Sequence, residues 1–263
     1  MPGRFTLARY RRLLLPAALF GLAVAIAARL SEVNTDDLVK GITKGLALLS
    51  LFLPPAWGDF TDMVQPALAT VAICLVATAI GALFSIGFGL AAARNIAPSW
   101  LRIAARSMIG AERALPEVVL LLFLVAALGL GPFPGAMALA VGSIGMLGKL
   151  LADTIEEIDP RVLDAAAASG ATLLQVIRHA VLPEVWPSLV ANTIFRFEVN
   201  IRATVLLGAI GAGGIGYELN AAINQLEYRR ATVAALVSFL LVVLSERVSD
   251  YLRSHVLGAA RQG

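Results

Sequence analysis

Polar side chains interrupt an apolar stretch, residues 185–210, at Arg196, Glu198, Asn200 and Arg202. Glu198 and Arg202 are four residues apart, so a helix places them on one face. A guanidinium binds phosphoryl oxygens through paired hydrogen bonds, which suits it to an anion. Two interpretations stay open. The charges form an ion pair that holds helices together, or all four residues line a pathway. We favour the pathway, in which Arg202 and Asn200 meet an anion and Glu198 orients Arg202.

The composition indicates that these charges lie in a membrane helix. The chain has 263 residues, of which 59% are hydrophobic and only 15% charged, whereas soluble domains carry about 25% charged residues. The runs Ala67–Ala93 and Val118–Gly148 contain no charged residue. About 20 apolar residues suffice to cross a bilayer. A charge at the bilayer centre costs about 2.5–3.5 kcal/mol. The sequence therefore predicts an all-α integral membrane protein with functional intramembrane charges.

Apolar stretches predict about six membrane helices. They are residues 13–28, 66–93, 118–130, 136–148, 185–210 and 231–244. The first resembles a signal peptide, but its length favours a helix that stays. The third and fourth are separated by the turn signal Gly131–Gly135. They form either a re-entrant pair or, as we favour, two full helices that extend through Glu117 and Lys149, with those side chains reaching the interface.

The stretch from Asn34 to Met63 has a different character. Apolar residues recur at helical spacing and stop before two prolines; they are Val39, Ile42, Leu46, Leu49 and Leu53. Such a pattern is typical of a helix lying on the membrane surface, although a poorly packed external loop stays open. We expect residues 1–65 to form an N-terminal membrane helix with this interfacial segment, and residues 66–263 to form the core.

Most Lys and Arg residues lie in connections on one side of the six spans, together with both termini. Cytoplasmic connections carry this positive excess in membrane proteins. The bias therefore places both termini in the cytoplasm. Arg229 and Arg230 fall on the outer side, where the bias does not explain them.

Residues 153–184, the coupling loop, read as two short helices. Asp159-Pro160 starts the first helix, Ser169-Gly170 breaks it, Thr172 and Gln175 form a capping box for the second, and Pro183 marks its end. A plain connection and a DNA-binding helix-turn-helix are the alternatives. The second needs more basic residues than the segment holds, so no nucleic-acid partner is expected. A docking site for a cytoplasmic protein is favoured.

The same segment resembles the EAA loop of bacterial ABC importer permeases. Asp164 stands where that motif has Glu, and Ala180 where it usually has Ile. In that family the loop docks into a cleft of the ATPase subunit. The resemblance assigns ATPase coupling to Asp164, Ala165, Ala166, Gly170, Leu182 and Pro183.

Further segments make the chain similar to phosphonate permeases: Gly145–Leu150, Ile155–Asp159, Phe197–Ala203 and Gly211–Gly216. The similarity covers most of residues 67–243. It implies a type I ABC importer permease core with an extra N-terminal helix, in the bacterial plasma membrane among lipids. It also implies a second copy of the chain, an ABC ATPase dimer that holds ATP and Mg, and an external solute-binding protein. The implied cargo is phosphonate or a phosphate-like ligand, including phosphite. A gate or packing role falls to Gly211, Gly213, Gly214 and Gly216.

Rival functions remain. One is a permease for another small solute such as an amino acid, against which the 197–203 segment argues. An intramembrane enzyme needs a convergent catalytic set, whereas the sequence offers one cysteine, Cys74, and two distant histidines. A non-transporting scaffold leaves the intramembrane charges unexplained. No Walker A pattern occurs, so we expect no enzyme, no cofactor and no metal in this chain, with ATP hydrolysis in a separate one.

Overall fold

The chain folds into helices throughout its described part. A computed structural model describes the backbone of residues 7–31 and 35–260 and the side chains of residues 14–31 and 40–258. All regular elements in those ranges are helical, as the composition predicts. The chain divides into two units, Met1–Leu53 and Pro54–Gly263. The predicted boundary between residues 65 and 66 falls inside the first long helix of the second unit.

The first unit contains two helices, α1 (Leu7–Leu30) and α2 (Thr35–Phe52). The apolar side chains of α1 from Leu14 onward are largely exposed, as they are in a helix that contacts lipid. α2 ends directly before Leu53 and the two prolines, where the sequence predicts its end. Val39 of the predicted stripe lies outside the described side chains, and the interfacial position of α2 stays a prediction.

The second unit contains nine helices within the described residues. They are α3 (Phe60–Ala92), α4 (Ser99–Ala114), α5 (Glu117–Leu128), α6 (Pro132–Glu156), α7 (Pro160–Ala168), α8 (Leu173–Val176), α9 (Leu182–Leu207), α10 (Gly214–Asn224) and α11 (Tyr228–Ala260). Two π-helical turns, Ile177–Val181 and Gly208–Ala212, lead into and out of α9.

Three stretches within the described residues are long and apolar enough to cross a membrane: Trp57–Ala92, Pro132–Glu156 and Tyr228–Gly258. A fourth candidate is the bent pair Leu173–Ala212 and Gly214–Asn224, which turns by 56°. Two shorter apolar helices, Leu14–Leu30 and Glu117–Leu128, complete the set. The apolar segments therefore fall where the sequence predicts them, but they differ in length.

α5 is shorter than the full membrane helix that the sequence predicts. It has 12 residues, which at 1.5 Å per residue reach only about 18 Å. α4 precedes α5 and joins it at Leu115-Pro116. Ile109 of α4 lies near Gly148 of α6, and Glu117 at the start of α5 lies near Gly142. α4 and α5 together therefore run antiparallel to α6 along most of its length. Glu117 sits against the middle of α6, and the predicted position of its side chain at the membrane interface stays a prediction.

Glycines allow α3 and α6 to pack as a parallel pair. Gly81 lies against Ser143, and a Cβ at Gly89 would come within 2.8 Å of Leu151. The register is constant along the pair, since both contacts join residues about 62 positions apart. Small residues at such contacts let membrane helices approach closely, which favours van der Waals packing.

The loop between α6 and α9 begins as the sequence predicts. Asp159 caps α7 by accepting a 2.9 Å hydrogen bond from the backbone N–H of Arg161. Gly170 follows α7 with φ of 78°, a conformation that glycine adopts without steric cost. The Gln175 side chain then accepts from the Thr172 backbone N–H at 2.8 Å, and the Thr172 side chain accepts from the Gln175 backbone N–H, so the predicted capping box is present.

The predicted end of the second loop helix at Pro183 is wrong. The chain passes from α8 through the π turn into α9 without a break, and Pro183 lies in the first turn of α9. Inside a helix a proline removes a backbone hydrogen bond and crowds the carbonyl four residues before it. The π turn, closed by a bond from Leu182 N–H to Ile177 C=O, widens the helix directly before Pro183.

The structure explains the two outer arginines. Arg229 Nε donates to the Pro54 carbonyl at 2.7 Å, and the Arg229 carbonyl accepts from Ala56 N–H at 3.2 Å. Arg230 pairs with Glu218 at 3.4 Å. These contacts join the start of α11 to the segment before α3 and to α10. Arg229 and Arg230 therefore make local packing contacts, and their side of the membrane stays a prediction.

Candidate functional site

The four predicted polar residues of α9 divide between two faces of the helix. Successive residues turn by about 100°, so residues two positions apart point about 200° apart. Arg196 and Asn200 share the face that packs on α3 and α6. Glu198 and Arg202 share the opposite face, which meets α11. The structure thus brings the four together in pairs and not as one cluster.

Arg196 is the centre of a buried polar network. Its Nη2 donates to Glu117 Oε1 at 2.6 Å, and its Nε donates to Ser143 Oγ at 2.9 Å. Met146 Sδ lies 3.5 Å from the third nitrogen, Nη1. The Arg196 side chain is only 6% exposed, and that of Glu117 is 29% exposed. Arg196 therefore holds α5 and α6 to α9 with its charge compensated.

Asn200 extends this network toward α3. Its Nδ2 donates to Thr78 Oγ1 at 2.8 Å and to Ser143 Oγ at 3.1 Å. Asn200 is fully buried, and its Oδ1 has no hydrogen-bond partner among the described residues. One turn further along α9, the Asn200 carbonyl accepts from Thr204, which also contacts Cys74 at 2.9 Å. In this conformation Asn200 lies within the helix packing.

The opposite face of α9 holds two cations around one carboxylate. Glu198, with 5% side-chain exposure, pairs with Arg202 of its own helix and with Arg253 of α11 at 3.5 Å. Arg253 also pairs with Asp250 at 2.5 Å and lies 5.4 Å from the centre of the Phe195 ring. The Arg202 side chain is 50% exposed. The predicted pairing of Glu198 with Arg202 is present, and Arg202 is the one of the four predicted residues with an exposed side chain.

This face offers a partly accessible guanidinium, because Arg202 is half-exposed and pairs with Glu198 on one side only. A guanidinium in that position is able to bind an anion in competition with Glu198. Arg253 is a second counterion of Glu198, so the buried carboxylate does not depend on Arg202 alone.

The first half of the glycine run shapes a tight turn after α9. Gly211 has φ of 115°, in the region that favours glycine. Its carbonyl accepts from Gly131 N–H at 2.9 Å, and a Cβ on Gly211 would collide with Leu130. Gly213 has φ of 77°, and a Cβ there would lie 3.4 Å from Pro132. The turn therefore packs directly on the connection between α5 and α6.

The second half of the run packs α10 against α3 and α9. The backbone N–H of Ile215 donates to Thr70 Oγ1 at 2.9 Å. A Cβ on Gly214 would collide with Thr70, and one on Gly216 would collide with the Val205 backbone. The geometry is that of close helix packing; the gate role of these glycines stays a prediction.

Two of the six predicted coupling residues, Ala166 and Gly170, line a groove between α7 and the π turn that follows α8. The groove has a volume of about 460 Å³ and is lined by Ala166, Ser169, Gly170, Ala171, Gln175, Val176, His179 and Ala180. Beside it, Leu173 and Leu174 are 57% and 75% exposed. Asp164, Ala165 and Pro183 are exposed, and Leu182 is half-buried. An open groove with exposed leucines is what a protein partner needs for docking.

The capping carboxylate of this loop is held in its charged form. The side chain and backbone N–H of Arg161 hydrogen-bond Asp159 and hold its pKa below the usual range. α7 therefore keeps its cap throughout the physiological pH range.

Sequence reasoning missed the partners of the predicted residues. Glu117, Ser143, Thr78 and Arg253 complete the two polar clusters but come from four other helices. The only signal for Glu117 and Arg253 was an unmatched charge near an apolar run. Nothing in the spacing marked Ser143 or Thr78. Within the described part of the chain, no three His, Cys, Asp or Glu side chains are close enough to hold a metal ion.

Comparisons with known proteins give a consistent result. The family model described as binding-protein-dependent transport system inner membrane component matches residues 85–258. The phosphite transport system permease protein PtxC of Stutzerimonas stutzeri is 36% identical over 252 residues, which are 95% of this chain and 92% of that protein. The phosphate-import permease protein PhnE of Mycolicibacterium smegmatis is 40% identical over 95% of this chain, which spans 47% of that longer protein.

Among solved structures, a chain of the MetNI methionine ABC transporter superimposes with a TM-score of 0.64. The alignment covers 74% of this chain and 95% of that chain at 23% identity. This likeness concerns the fold alone. It confirms the predicted all-α fold of an ABC importer type I permease.

Proposed function

This chain belongs to the family of binding-protein-dependent transport system inner membrane components, and on that premise we propose that it imports a phosphorus oxyanion: phosphonate, phosphite or phosphate. The observation that supports this cargo is the similarity, over nearly the whole chain, to permeases named for phosphite and phosphate. The chain is a membrane transport subunit that performs no covalent chemistry. Transport proceeds by alternating access.

Arg202 is the proposed contact with the cargo. It combines a permanent positive charge with half-exposure, and Glu198 limits its attraction for anions. Its planar guanidinium matches two oxygens of a phosphoryl group. Glu198 borders the same pathway beside Arg202, whereas Arg196 and Asn200 support it from the opposite face by holding α9 to α3, α5 and α6.

Energy reaches the chain through α7 and α8. The groove between them, with Gly170 at its turn, is the proposed docking site of an ATP-binding ABC subunit dimer that carries ATP and Mg. The exposed Leu174 supplies apolar contact beside the groove. Leu182 and Pro183 then continue directly into α9, so a displacement of the docked loop reaches the pathway helix without an intervening hinge.

The remaining partners follow from the same family. A second copy of this chain supplies the other half of the pathway, and an external solute-binding protein delivers the cargo. Both termini face the cytoplasm, which places α7 and α8 on the side where ATP is available. Neighbouring lipid covers the exposed apolar side chains of the long helices.

The docking proposal is tested by purifying the tagged chain from detergent-solubilised bacterial membranes and identifying its companions by mass. A P-loop ATPase should accompany the wild type and be lost with Leu174→Glu, which places a charge on the proposed contact. Ser254→Glu adds the same charge to an exposed position of α11 and should keep the ATPase. Recovery of the ATPase with Leu174→Glu would exclude this docking surface.

A further inference from the structure

Glu156 occupies a junction that the coupling residues do not explain. It is the last residue of α6 and precedes the Asp159 cap of α7 by three positions. It belongs to the segment Ile155–Asp159 that the sequence analysis singled out. Its side chain is only 12% exposed, although it lies at the inner end of the helix packing.

The Glu156 carboxylate joins three elements at once. Its Oε1 accepts from the Arg94 backbone N–H at 2.7 Å and from Arg106 Nη2 at 2.5 Å. Its Oε2 lies 3.2 Å from Arg94 Nε. Arg106 also donates from Nε to the carbonyl of Ala92, the last residue of α3, at 2.9 Å. Asn95 reinforces the junction by donating to the Ile155 carbonyl at 2.8 Å.

Apolar packing at the same level links α7 and α8 to other helices. Leu163 and Val176 pack on a cluster that includes Ala93, Ile155 and Val181, from the ends of α3 and α6 and the start of α9. No residue of α4 belongs to that cluster. The ion pair of Glu156 with Arg106 therefore supplies a direct polar contact between the start of the loop and α4.

α4 leads from this junction to the polar network of α9. It is an unbroken helix from Ser99 to Ala114, and Glu117 follows three residues later. Glu117 holds Arg196 at 2.6 Å. A shift at Arg106 thus has a path along α4 and the short Leu115-Pro116 connection to the buried charge of the pathway helix, separate from the direct continuation of α8 into α9. Charge-assisted hydrogen bonds fix direction, whereas apolar contacts permit sliding.

We propose that Glu156 is the positioning residue that passes displacement of α7 and α8 to the inner ends of α3 and α4, and through α4 to the Glu117–Arg196 pair. This inference rests on the proposed function, because it assigns a route for the displacement that the docked ATPase produces. Glu156 touches no cargo. Its loss should separate ATP hydrolysis from transport without dismantling the transporter.

The test uses the complete transporter, which is this chain with its ATPase and binding protein, reconstituted in proteoliposomes. Labelled phosphate or phosphite is added to the external medium, and ATP is enclosed in the lumen. Glu156→Gln keeps the size and the hydrogen-bond acceptor but removes the charge. It should lower the cargo taken up per ATP hydrolysed by about five- to tenfold, since charge-assisted hydrogen bonds are roughly twice as strong as neutral ones. The ATPase rate and the amount of assembled complex should stay near wild type. Glu157→Gln, at the exposed neighbouring carboxylate, should leave the ratio unchanged.

A second variant approaches the same junction from α4. Arg106→Gln alters a side chain that is 49% exposed. It should lower the cargo taken up per ATP hydrolysed to a similar extent. The double variant Glu156→Gln/Arg106→Gln should lose no more than either single one, because both remove one interaction. Unchanged ratios in the single variants, or additive losses in the double one, would overturn the proposal. The proposal would also be overturned if uptake, ATP hydrolysis and the amount of assembled complex all fell together. Glu156 would then only hold the structure together. A wild-type transporter that moves neither phosphate, phosphite nor methylphosphonate would instead refute the proposed function.

Discussion

Arg196 and Arg202 should differ sharply in what their loss does to the folded chain, although both place one guanidinium on α9. Arg196→Gln removes a side chain with 6% exposure that joins three helices. It leaves Glu117 without its counterion and removes one of the two donors to Ser143 Oγ, of which Asn200 remains. Arg202→Gln removes a half-exposed side chain, and Glu198 keeps Arg253 at 3.5 Å.

The expected magnitudes follow from burial. Removing one partner of a buried pair costs about 3–5 kcal/mol, and the partial exposure of Glu117 reduces this to about 2–4 kcal/mol. Removing a half-exposed partner costs about 1 kcal/mol or less. Hydrogen bonds between membrane helices average only about 0.6 kcal/mol each. The larger cost expected for Arg196→Gln therefore depends on the charge pair with Glu117. At roughly 2–4 °C per kcal/mol, Arg196→Gln should lower Tm by roughly 5–15 °C and Arg202→Gln by about 4 °C at most.

The assay is thermal unfolding of the purified chain in one mild detergent, followed by loss of the monodisperse peak on gel filtration. Glu117→Gln and the double variant Arg196→Gln/Glu117→Gln complete the comparison. The double variant should be more stable than the sum of the single losses predicts, because it leaves no unpaired charge in the packing. The reasoning fails if Arg196→Gln melts no earlier than Arg202→Gln, or if the two single losses are additive.

Other variants test the remaining features. Gly142→Ala should lower the Tm by several degrees, because its Cβ would lie 2.5 Å from Glu117 Oε1. Gly87→Ala should leave the Tm unchanged, because a Cβ at that position meets open space. Gly216→Ala should reduce the yield of folded chain on gel filtration, because its Cβ would collide with backbone atoms of α9. Arg202→Ala should reduce uptake by at least about tenfold while leaving complex assembly intact, since it removes a charge-assisted contact with the cargo; equal loss of assembly would indicate a structural ion pair.

The sequence predicted features that depend on neighbouring residues. Asp159 begins α7 and Gly170 breaks the loop because capping and a left-handed φ are local properties. The Glu198–Arg202 pair was also predictable from helical spacing. The division of the four α9 residues between two faces follows from the same 3.6-residue period and was within reach of sequence reasoning.

Other features depend on which helices meet. Ser143 and Glu117 are 53 and 79 positions from Arg196, so no periodicity links them. α5 is shorter than the predicted full membrane helix, and the polar residues of α4 gave no sign in the sequence that the two helices run together along α6. Pro183 was mistaken for a helix end because the π turn that precedes it has no sequence signature comparable to a cap.

The central claim is that this chain carries a phosphorus oxyanion at the expense of ATP. Its most direct test is uptake into proteoliposomes that contain the chain with its copurified ATPase and binding protein. Labelled phosphate should accumulate only with ATP at the ATPase side, and unlabelled phosphite or methylphosphonate should compete where methionine does not. Accumulation of labelled methionine, or phosphate entry that is independent of ATP, would contradict the account.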